Sequence, residues 1–202
     1  MIRLFDIFFA LLILLLAGLP MLIVALAIFA HDGFPVLFRQ TRVGQHGRNF
    51  TILKFRSMQL APPDSRSGEV TGTSQEEKIR ARAAFKTTQL NDPRITPVGR
   101  LIRSSHLDEL PQLFNVLRGD MSIVGVRPDT PAQEVDYSHK YWSIRHSLRP
   151  GITGLAQVMN TAEAGMEGRR HWETIWIERH SLRLYLIILL RTVVKVCKNE
   201  SF

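Results

Sequence analysis

The sequence contains few of the residues and motifs that form the best-known catalytic and metal sites. Its 202 residues include one cysteine, Cys197, so the chain can form neither an internal disulfide nor a zinc-binding cysteine cluster. The seven histidines show no metal-ligand spacing, and there is no P-loop or other glycine-rich phosphate loop. A nucleotide site must therefore be assembled from scattered residues.

One long segment near the start carries no charged residue. It runs from Ile7 to Ala30 and would be roughly 36 Å long as a helix, enough to cross a bilayer. Pro20 lies near its middle, where it removes a helix hydrogen bond, so we expect a kink or a break there. The segment can then cross the membrane or turn back. A cleaved signal peptide is disfavoured because His31-Asp32-Gly33 follows in place of a small-residue cleavage site.

The charge balance favours an anionic partner. The formal net charge of +8 suits nucleic acid, acidic lipid headgroups or a phosphorylated substrate. Basic residues beside a membrane segment suit anionic lipid and a cytoplasmic position. We therefore expect membrane lipids, and no nucleic acid, as partners.

The residue patterns predict an α+β fold that is mostly helical with a short β-hairpin. Two short strands, 36–38 and 50–55, flank a glycine-bearing stretch. Apolar residues at helical spacing from Leu107 predict a short helix that Gly119 ends. The other predicted elements are a surface loop over residues 61–75 and helices over 76–85 and 168–179.

A cationic amphipathic helix is predicted at the C-terminal end, over about residues 181–198. Its leucines and valines recur at helical spacing, while Arg191, Lys195 and Lys198 fall on another face. One interpretation packs this helix on the domain core. The other lays it in the membrane interface, and the width of the apolar face favours this second interpretation.

Asp108 and Glu109 are the carboxylates best placed for chemistry. Neighbours on a helix point about 100° apart and cannot share a proton, so we expect different roles for the two. One can attack phosphorus, and the other can help hold a magnesium ion. A second interpretation makes Ser105 to Asp108 a capping box and Glu109 a first-turn acid, and in isolation the pair fits this interpretation better.

Four basic residues can complete a phosphate site. Arg103 and Arg127 flank the acids, and the planar guanidinium suits phosphate oxygens. Pro128 restricts the backbone of Arg127 to extended geometry. Lys54 and Arg56 stand at a probable strand end and can reach the same pocket. Arg103 and Arg127, each taken alone, are equally explained as solvated charges, and for Lys54 and Arg56 taken alone the solvated charge is the better explanation.

Three stretches, read in order behind the apolar segment, carry a family resemblance. They are FRQTRVGQHGRNFTILKFRSM, NDPRITPVGRLIRSSHLDELPQLFNVLRGDMSIVGVRP and RPGITGLAQV. The chain resembles the bacterial sugar transferase family, the small monotopic phosphoglycosyl transferases, over nearly its whole length.

The resemblance implies an activity, a cofactor and a location. The activity is transfer of a sugar 1-phosphate from a UDP-sugar to undecaprenyl phosphate through an aspartyl phosphosugar, with release of UMP. This is the first membrane step of glycoconjugate biosynthesis, for an exopolysaccharide or lipopolysaccharide. The cofactor is Mg²⁺, and the location is the cytoplasmic face of the bacterial inner membrane.

The resemblance also assigns roles to residues. Asp108 matches the nucleophile and Glu109 its partner, both beside the metal, while Lys54, Arg103 and Arg127 match basic residues of the phosphate site.

The family pattern further implies a re-entrant membrane helix over residues 1–32, broken at Pro20, and a catalytic domain over residues 33–202. Three departures from that pattern matter. Met159-Asn160-Thr161 replaces the common Asn-Gly-Arg after Val158, which is expected to alter recognition of the sugar or uridine. Val126 replaces a usual proline before Arg-Pro, so the loop there is expected to be less rigid. Glu173 replaces a usual aspartate, and we expect it to bind substrate.

A different class of function fits the charge alone. A membrane-tethered, non-catalytic module would bind a polyanion through its positive charge. This alternative predicts that Asp108 and Glu109 are dispensable and that binding is salt-sensitive.

Overall fold

The computed structural model describes residues 1–60, 74–84, 92–159 and 165–198, so most of the predicted loop at 61–75 lies outside the described residues. The helices are α1 (Ile2–Asp32), α2 (Gln75–Ala84), α3 (Pro97–Ser104), α4 (Gln112–Arg118), α5 (His139–Arg145), α6 (Leu155–Val158), α7 (Gly165–Glu178) and α8 (Leu182–Cys197). The strands are β1 (Leu37–Val43), β2 (Asn49–Phe55), β3 (Ser122–Val124) and β4 (Gly151–Thr153). Short 3₁₀ turns cover Gln45–Gly47, Leu107–Glu109 and Pro131–Asp136.

The prediction of a mostly helical α+β fold with a short hairpin is confirmed. β1 and β2 pair antiparallel, with Leu37 opposite Phe55 and Val43 opposite Asn49. The strands are longer than predicted because a compact 3₁₀ turn connects them, and Gly47 adopts the positive φ of 74° that this turn requires. The hairpin brings the end of β2 beside the chain that follows α3.

A second, parallel pair joins two of the motif stretches. β3 pairs with β4, with Ser122 opposite Gly151 and Val124 opposite Thr153. The backbones approach so closely that a Cβ on Gly151 would lie 2.0 Å from the amide nitrogen of Gly125. Glycine is therefore required where the two motifs meet.

The predicted helix from Leu107 to Gly119 is divided in two. Gly119, with φ of 92°, ends α4 as predicted, but α4 begins only after Pro111. Proline has no N–H to donate and fits only the first turn of a helix, so the residues before it form a separate 3₁₀ turn. Asp108 and Glu109 lie on that turn, and the prediction that they begin the helix is wrong.

Helix α1 is continuous from Ile2 to Asp32, with Pro20 inside it. The prediction that Pro20 breaks the segment into two short helices is therefore wrong at the level of helical structure. Proline removes one donor, and the rest of the backbone ladder continues on both sides of it. α1 is long and apolar enough to cross a membrane.

The first turns of α1 are fixed to the rest of the chain by buried polar contacts. Asp6 is 1% exposed, and its Oδ1 accepts hydrogen bonds from the hydroxyls of Ser122 and Tyr185 and from the amide of Ile123, at 2.8–3.0 Å. Arg3 adds bonds from its guanidinium to two carbonyls at the end of α4. These contacts tie the start of α1 to α4, β3 and α8.

The last turns of α1 are fixed to the hairpin. Arg56 is 4% exposed and donates to the carbonyls of Asp32 and Gly33 at 2.6 and 2.7 Å. A small cluster of buried apolar side chains packs beside these bonds, namely Val24, Ile28, Phe55 and Ile102. Both ends of α1 are therefore attached to the same domain, while residues 15–20 are mostly exposed.

Helix α8 has two apolar faces. Tyr185 and Ile188 are fully buried in the main core, whereas Leu190 and Val193 are exposed. Lys195, predicted on the polar face, is 8% exposed and donates to the carbonyl of Gln157 at 3.2 Å. Core packing and an apolar outer surface therefore coexist on one helix, so the two interpretations of this segment were not exclusive.

Candidate active site

The turn that carries the two acids begins with a strained residue. His106 has φ of 56° and ψ of 12°, a left-handed conformation that costs a non-glycine residue about 1 kcal/mol. The hydroxyl of Ser105 donates to the carbonyl of Leu101, so it does not cap the turn. The capping-box interpretation of Ser105 to Asp108 is therefore wrong.

Asn115 fixes this region against the hairpin. It is fully buried, accepts from the amide of Leu53 at 3.0 Å and donates to the carbonyl of Thr51 at 2.7 Å. A side-chain amide that satisfies two backbone groups in this way extends the ladder of β2 onto α4. Lys54, the next residue of the strand, is thereby positioned next to the acids.

Glu109 is held by two cations. Lys54 Nζ lies 2.5 Å from Glu109 Oε1, and the Arg127 guanidinium lies 3.7 Å from the same oxygen. The Lys54 and Glu109 side chains are 19% and 20% exposed, whereas Arg127 is 51% exposed. A half-exposed guanidinium beside a nearly buried ion pair can reach a ligand that approaches from solvent.

The pKa values of the neighbouring acids move in opposite directions. Burial raises the pKa of Asp108, and the charge of Glu109 adds to the rise. Burial would also raise the pKa of Glu109, but the charges of Lys54 and Arg127 outweigh burial and lower it. Glu109 is therefore the stabilised carboxylate and Asp108 the less stabilised one.

Asp108 is the acid left available for a ligand. Its carboxylate accepts no hydrogen bond from any part of the chain that the structure describes. Lys54, Arg103 and His106 are close enough to favour its ionised form. An ionised oxygen that is partly desolvated and unbonded is suited to nucleophilic attack.

Arg56, predicted to bind substrate, lies elsewhere. Its guanidinium is directed at the end of α1, where it donates to the carbonyls of Asp32 and Gly33. Arg56 therefore connects two elements, and none of its described contacts is with Asp108 or Glu109.

Glu173, also predicted to bind substrate, is buried away from the pair. It is 3% exposed, and both of its oxygens already accept hydrogen bonds from surrounding side chains. The donors are Tyr141, Arg145 and Arg169. Its link to the site is indirect, because Arg145 also donates to the carbonyl of Arg127 at 2.9 Å.

A family model described as Bacterial sugar transferase matches residues 1–199. The chain belongs to the bacterial sugar transferase family. The membership predicted from the three motif stretches is confirmed. The first two stretches meet where Lys54 contacts Glu109, and the third pairs with the second through β3 and β4.

Individual members of the family align with nearly the whole chain. The UDP-glucose:undecaprenyl-phosphate glucose-1-phosphate transferase of Klebsiella pneumoniae is 37% identical over 98% of the chain and 40% of that protein. A protein of the same name from Caulobacter vibrioides is 39% identical over 98% of the chain and 70% of that protein. The exopolysaccharide production protein ExoY of Rhizobium meliloti is 37% identical over 98% of the chain and 86% of that protein. The chain thus spans about two fifths of the Klebsiella protein.

The carboxylates of Asp108 and Glu109 are of the chemical type that could serve as two of the oxygen ligands of a magnesium ion. Within the described residues, no group of three or more His, Cys, Asp or Glu side chains could form a complete metal cage. Magnesium is usually held by one or two carboxylates together with substrate phosphates and water. The unbonded carboxylate of Asp108 and the neighbouring Glu109 provide such a partial set of ligands.

Sequence reasoning missed three residues that build the site. Asn115 gave no signal beyond its place in the stretch LFNVLRGD. Arg42 lies in a strand motif but was not assigned a role. Arg145 offered a usable signal, because it follows Trp142 by three positions and so shares a helix face with a large apolar side chain. A charge on an apolar face indicates a buried ionic partner.

Proposed function

We propose that this chain transfers a sugar 1-phosphate from a UDP-sugar to undecaprenyl phosphate at the cytoplasmic face of the bacterial inner membrane. The observation that carries the proposal is the unequal acid pair: Asp108 accepts no hydrogen bond from the described residues, while Glu109 is held by Lys54 and Arg127. The names of several relatives support the same substrates.

Asp108 is the nucleophile of the first step. A carboxylate oxygen attacks the phosphorus that bears the sugar and forms a P–O bond to Asp108. The bond from that phosphorus to the bridging oxygen breaks, and this oxygen leaves with UMP. An oxygen of undecaprenyl phosphate then attacks the same phosphorus, the P–O bond to Asp108 breaks, and the free carboxylate is restored.

The surrounding cations stabilise the charge that moves during these steps. The pKa of Glu109 is lowered, so Glu109 stays ionised and keeps Lys54 oriented beside the acids. Arg127 is half exposed and can donate to phosphate oxygens, and Arg103 contributes a positive charge that acts on Asp108. Loss of a charge-assisted contact in Arg127→Ala should cost on the order of 2 to 3 kcal/mol of transition-state stabilisation.

Asp108 and Glu109 would hold Mg²⁺ together with the diphosphate. When bound, the ion neutralises charge on the phosphate oxygens and so favours attack by an anionic nucleophile. Removing the metal with a chelator should stop UMP release, and adding magnesium back should restore it. Full activity after exhaustive chelation would assign all charge neutralisation to Arg103 and Arg127.

The membrane arrangement follows from how α1 is attached. A straight helix of this length measures roughly 46 Å, more than the hydrocarbon thickness of about 30 Å, so its ends would lie on opposite sides if it crossed. Asp6 near one end and Asp32 at the other both contact the same domain. We therefore propose that α1 bends at Pro20 while helical hydrogen bonding continues on both sides of it, so that its exposed middle enters the membrane and both ends stay on the cytoplasmic side.

Membrane fractions containing the protein should release UMP when given undecaprenyl phosphate and a panel of UDP-sugars. We expect Asp108→Asn to lower the rate at least about 1,000-fold, and Glu76→Gln, a substitution at an exposed position on α2, to leave it unchanged. The polyanion-binding alternative predicts no UMP release with any sugar. It also predicts salt-sensitive binding that Asp108→Asn does not weaken.

A further inference from the structure

We propose that Arg145 and Arg42 are positioning residues that hold the backbone of the Arg127 loop, residues 126–129, so that the Arg127 guanidinium faces Glu109. This inference rests on the proposed function, because Arg127 is taken to contact substrate phosphate.

Four consecutive carbonyls of the Arg127 loop accept hydrogen bonds. The guanidinium of Arg145 donates to the Arg127 carbonyl at 2.9 Å, and that of Arg42 donates to the Pro128 carbonyl at 3.0 Å. The carbonyls on either side of these two accept from backbone amides, Val126 from Gly151 at 2.8 Å and Asp129 from Val43 at 2.9 Å. The loop is thereby fixed to both β1 and β4.

Arg145 is itself fixed by acids. It is fully buried, and it contacts the carboxylate of Asp129 and donates to both oxygens of Glu173, at 2.9 and 3.0 Å. Burying a guanidinium costs several kcal/mol unless its donors are satisfied, and the flat fork of arginine allows one side chain to serve three acceptors. Lysine carries the same charge but cannot reproduce this geometry.

The hydrogen bonds from Arg145 and Arg42 explain how the Arg127 loop is ordered without the proline expected at position 126. Val126 leaves the backbone freer than a proline would. The side chain of Val126 is buried at 3% exposure, and the carbonyls that follow it are occupied by arginines from two other elements. Arg145 has no exposed surface and contacts the chain from within, so it acts on substrate only through Arg127.

A double-mutant cycle tests the coupling. Arg145→Lys should lower kcat/KM for the UDP-sugar roughly tenfold to a hundredfold, since small displacements of a positioning group have effects of that size. In an Arg127→Ala background the same change should cost less than about twofold, because the group that it positions is gone. An equal loss in both backgrounds would overturn the proposal and make Arg145 a general structural residue. Arg149→Lys, which also loses a bond from arginine to a carbonyl, is the matched control and should act additively with Arg127→Ala.

Amide hydrogen exchange tests whether Arg145 holds the backbone of the Arg127 loop, without any activity measurement. In Arg145→Lys, the amides of Val43 and Gly151 should exchange faster, whereas that of Leu53, bonded to Asn115, should be unchanged. Unchanged exchange at Val43 and Gly151 would overturn the proposal, whereas failure of the wild-type protein to release UMP would overturn only the proposed function. If Arg145→Lys does not fold, Arg42→Lys removes the guanidinium that donates to the Pro128 carbonyl. The double-mutant cycle and the amide exchange can then be measured on that variant.

Discussion

Asp108 and Glu109 are adjacent in the chain, yet their surroundings shift their pKa values in opposite directions. Lys54 and Arg127 both approach Glu109, so its charge is compensated inside the protein. Asp108 is buried without a bonded partner among the described residues, and burial raises its pKa. A difference of this kind separates a stabilising carboxylate from a reactive one.

Lys54→Met tests this electrostatic arrangement through pH. The Lys54 charge opposes the rise in the pKa of Asp108, so its removal should raise that pKa further. Asp108 must be ionised to attack, so the acid limb of the kcat/KM profile should move to higher pH. Lys78→Met is the matched control, because Lys78 forms an equally short ion pair, 2.5 Å, with Glu134 elsewhere. An acid limb that stays in place in Lys54→Met, or moves equally in both variants, would contradict the assignment.

The sequence predicted which residues lie together in the candidate site, but not all of their surroundings. Asp108 and Glu109 were recognisable from their motif, and Lys54 and Arg127 were correctly predicted to lie beside them. Arg56 was not separable from Lys54 by sequence, because only the folded chain brings the end of α1 to its guanidinium. The indirect role of Glu173 depends on its contact with Arg145. This contact joins two separate helices, α5 and α7, and no local sequence pattern encodes such a pairing.

At the scale of elements, the protein is held together by polar contacts buried between apolar surfaces. Asp6 is the clearest case, because one carboxylate oxygen joins α1 to β3 and α8. A helix docked only by apolar packing could slide along its partner, whereas a buried acceptor with three donors fixes its register.

Asp6→Ala should destabilise the fold by on the order of 3 kcal/mol, because it leaves the donors of Ser122, Ile123 and Tyr185 buried without an acceptor. Asp6→Asn keeps an oxygen in the same place and should cost about 1 kcal/mol. Thermal unfolding in detergent or nanodiscs measures both. Equal stability of the alanine variant and the wild type would show that these bonds do not anchor α1.

Local signals predicted the elements well where a single rule applied. Gly119 ended a helix, and two short apolar segments that flank a glycine-bearing stretch formed the hairpin. Prediction failed at two prolines, where the helix-breaking effect of proline competed with the helical pattern of the residues around it. Pro20 was expected to break α1, but helical bonding continues on both sides of it, and Pro111 delayed the start of α4 so that the acids occupy a separate turn.

At the scale of the whole molecule, α1 and α8 both carry exposed apolar surface. Leu15, Leu16 and Leu19 in the middle of α1 are 69–80% exposed, and Leu190 on α8 is 67% exposed. Exposed apolar patches of this extent need a partner, and lipid is the partner proposed here. The proposed chemistry suits that arrangement, because one of the proposed substrates is soluble and the other is anchored in the bilayer.

Single cysteines in a Cys197→Ser background test the topology. Cysteines at position 2 and at position 31 should both react with an impermeant thiol reagent from the cytoplasmic side of sealed vesicles. Gly18→Cys, which replaces a residue with open space around it, should be protected from both sides. Labelling of position 2 from the periplasmic side would mean that α1 crosses the membrane, even if the enzymatic assignment stands.

The most direct test of the central claim is the mass of the protein quenched during reaction with UDP-sugar alone. With undecaprenyl phosphate omitted, a sugar-phosphate adduct should appear on the peptide that contains Asp108. It should disappear when the lipid phosphate is added and be absent from Asp108→Asn. A preparation that releases UMP with both substrates present, yet shows no adduct or carries it on another residue, would contradict the assignment of Asp108 as the nucleophile.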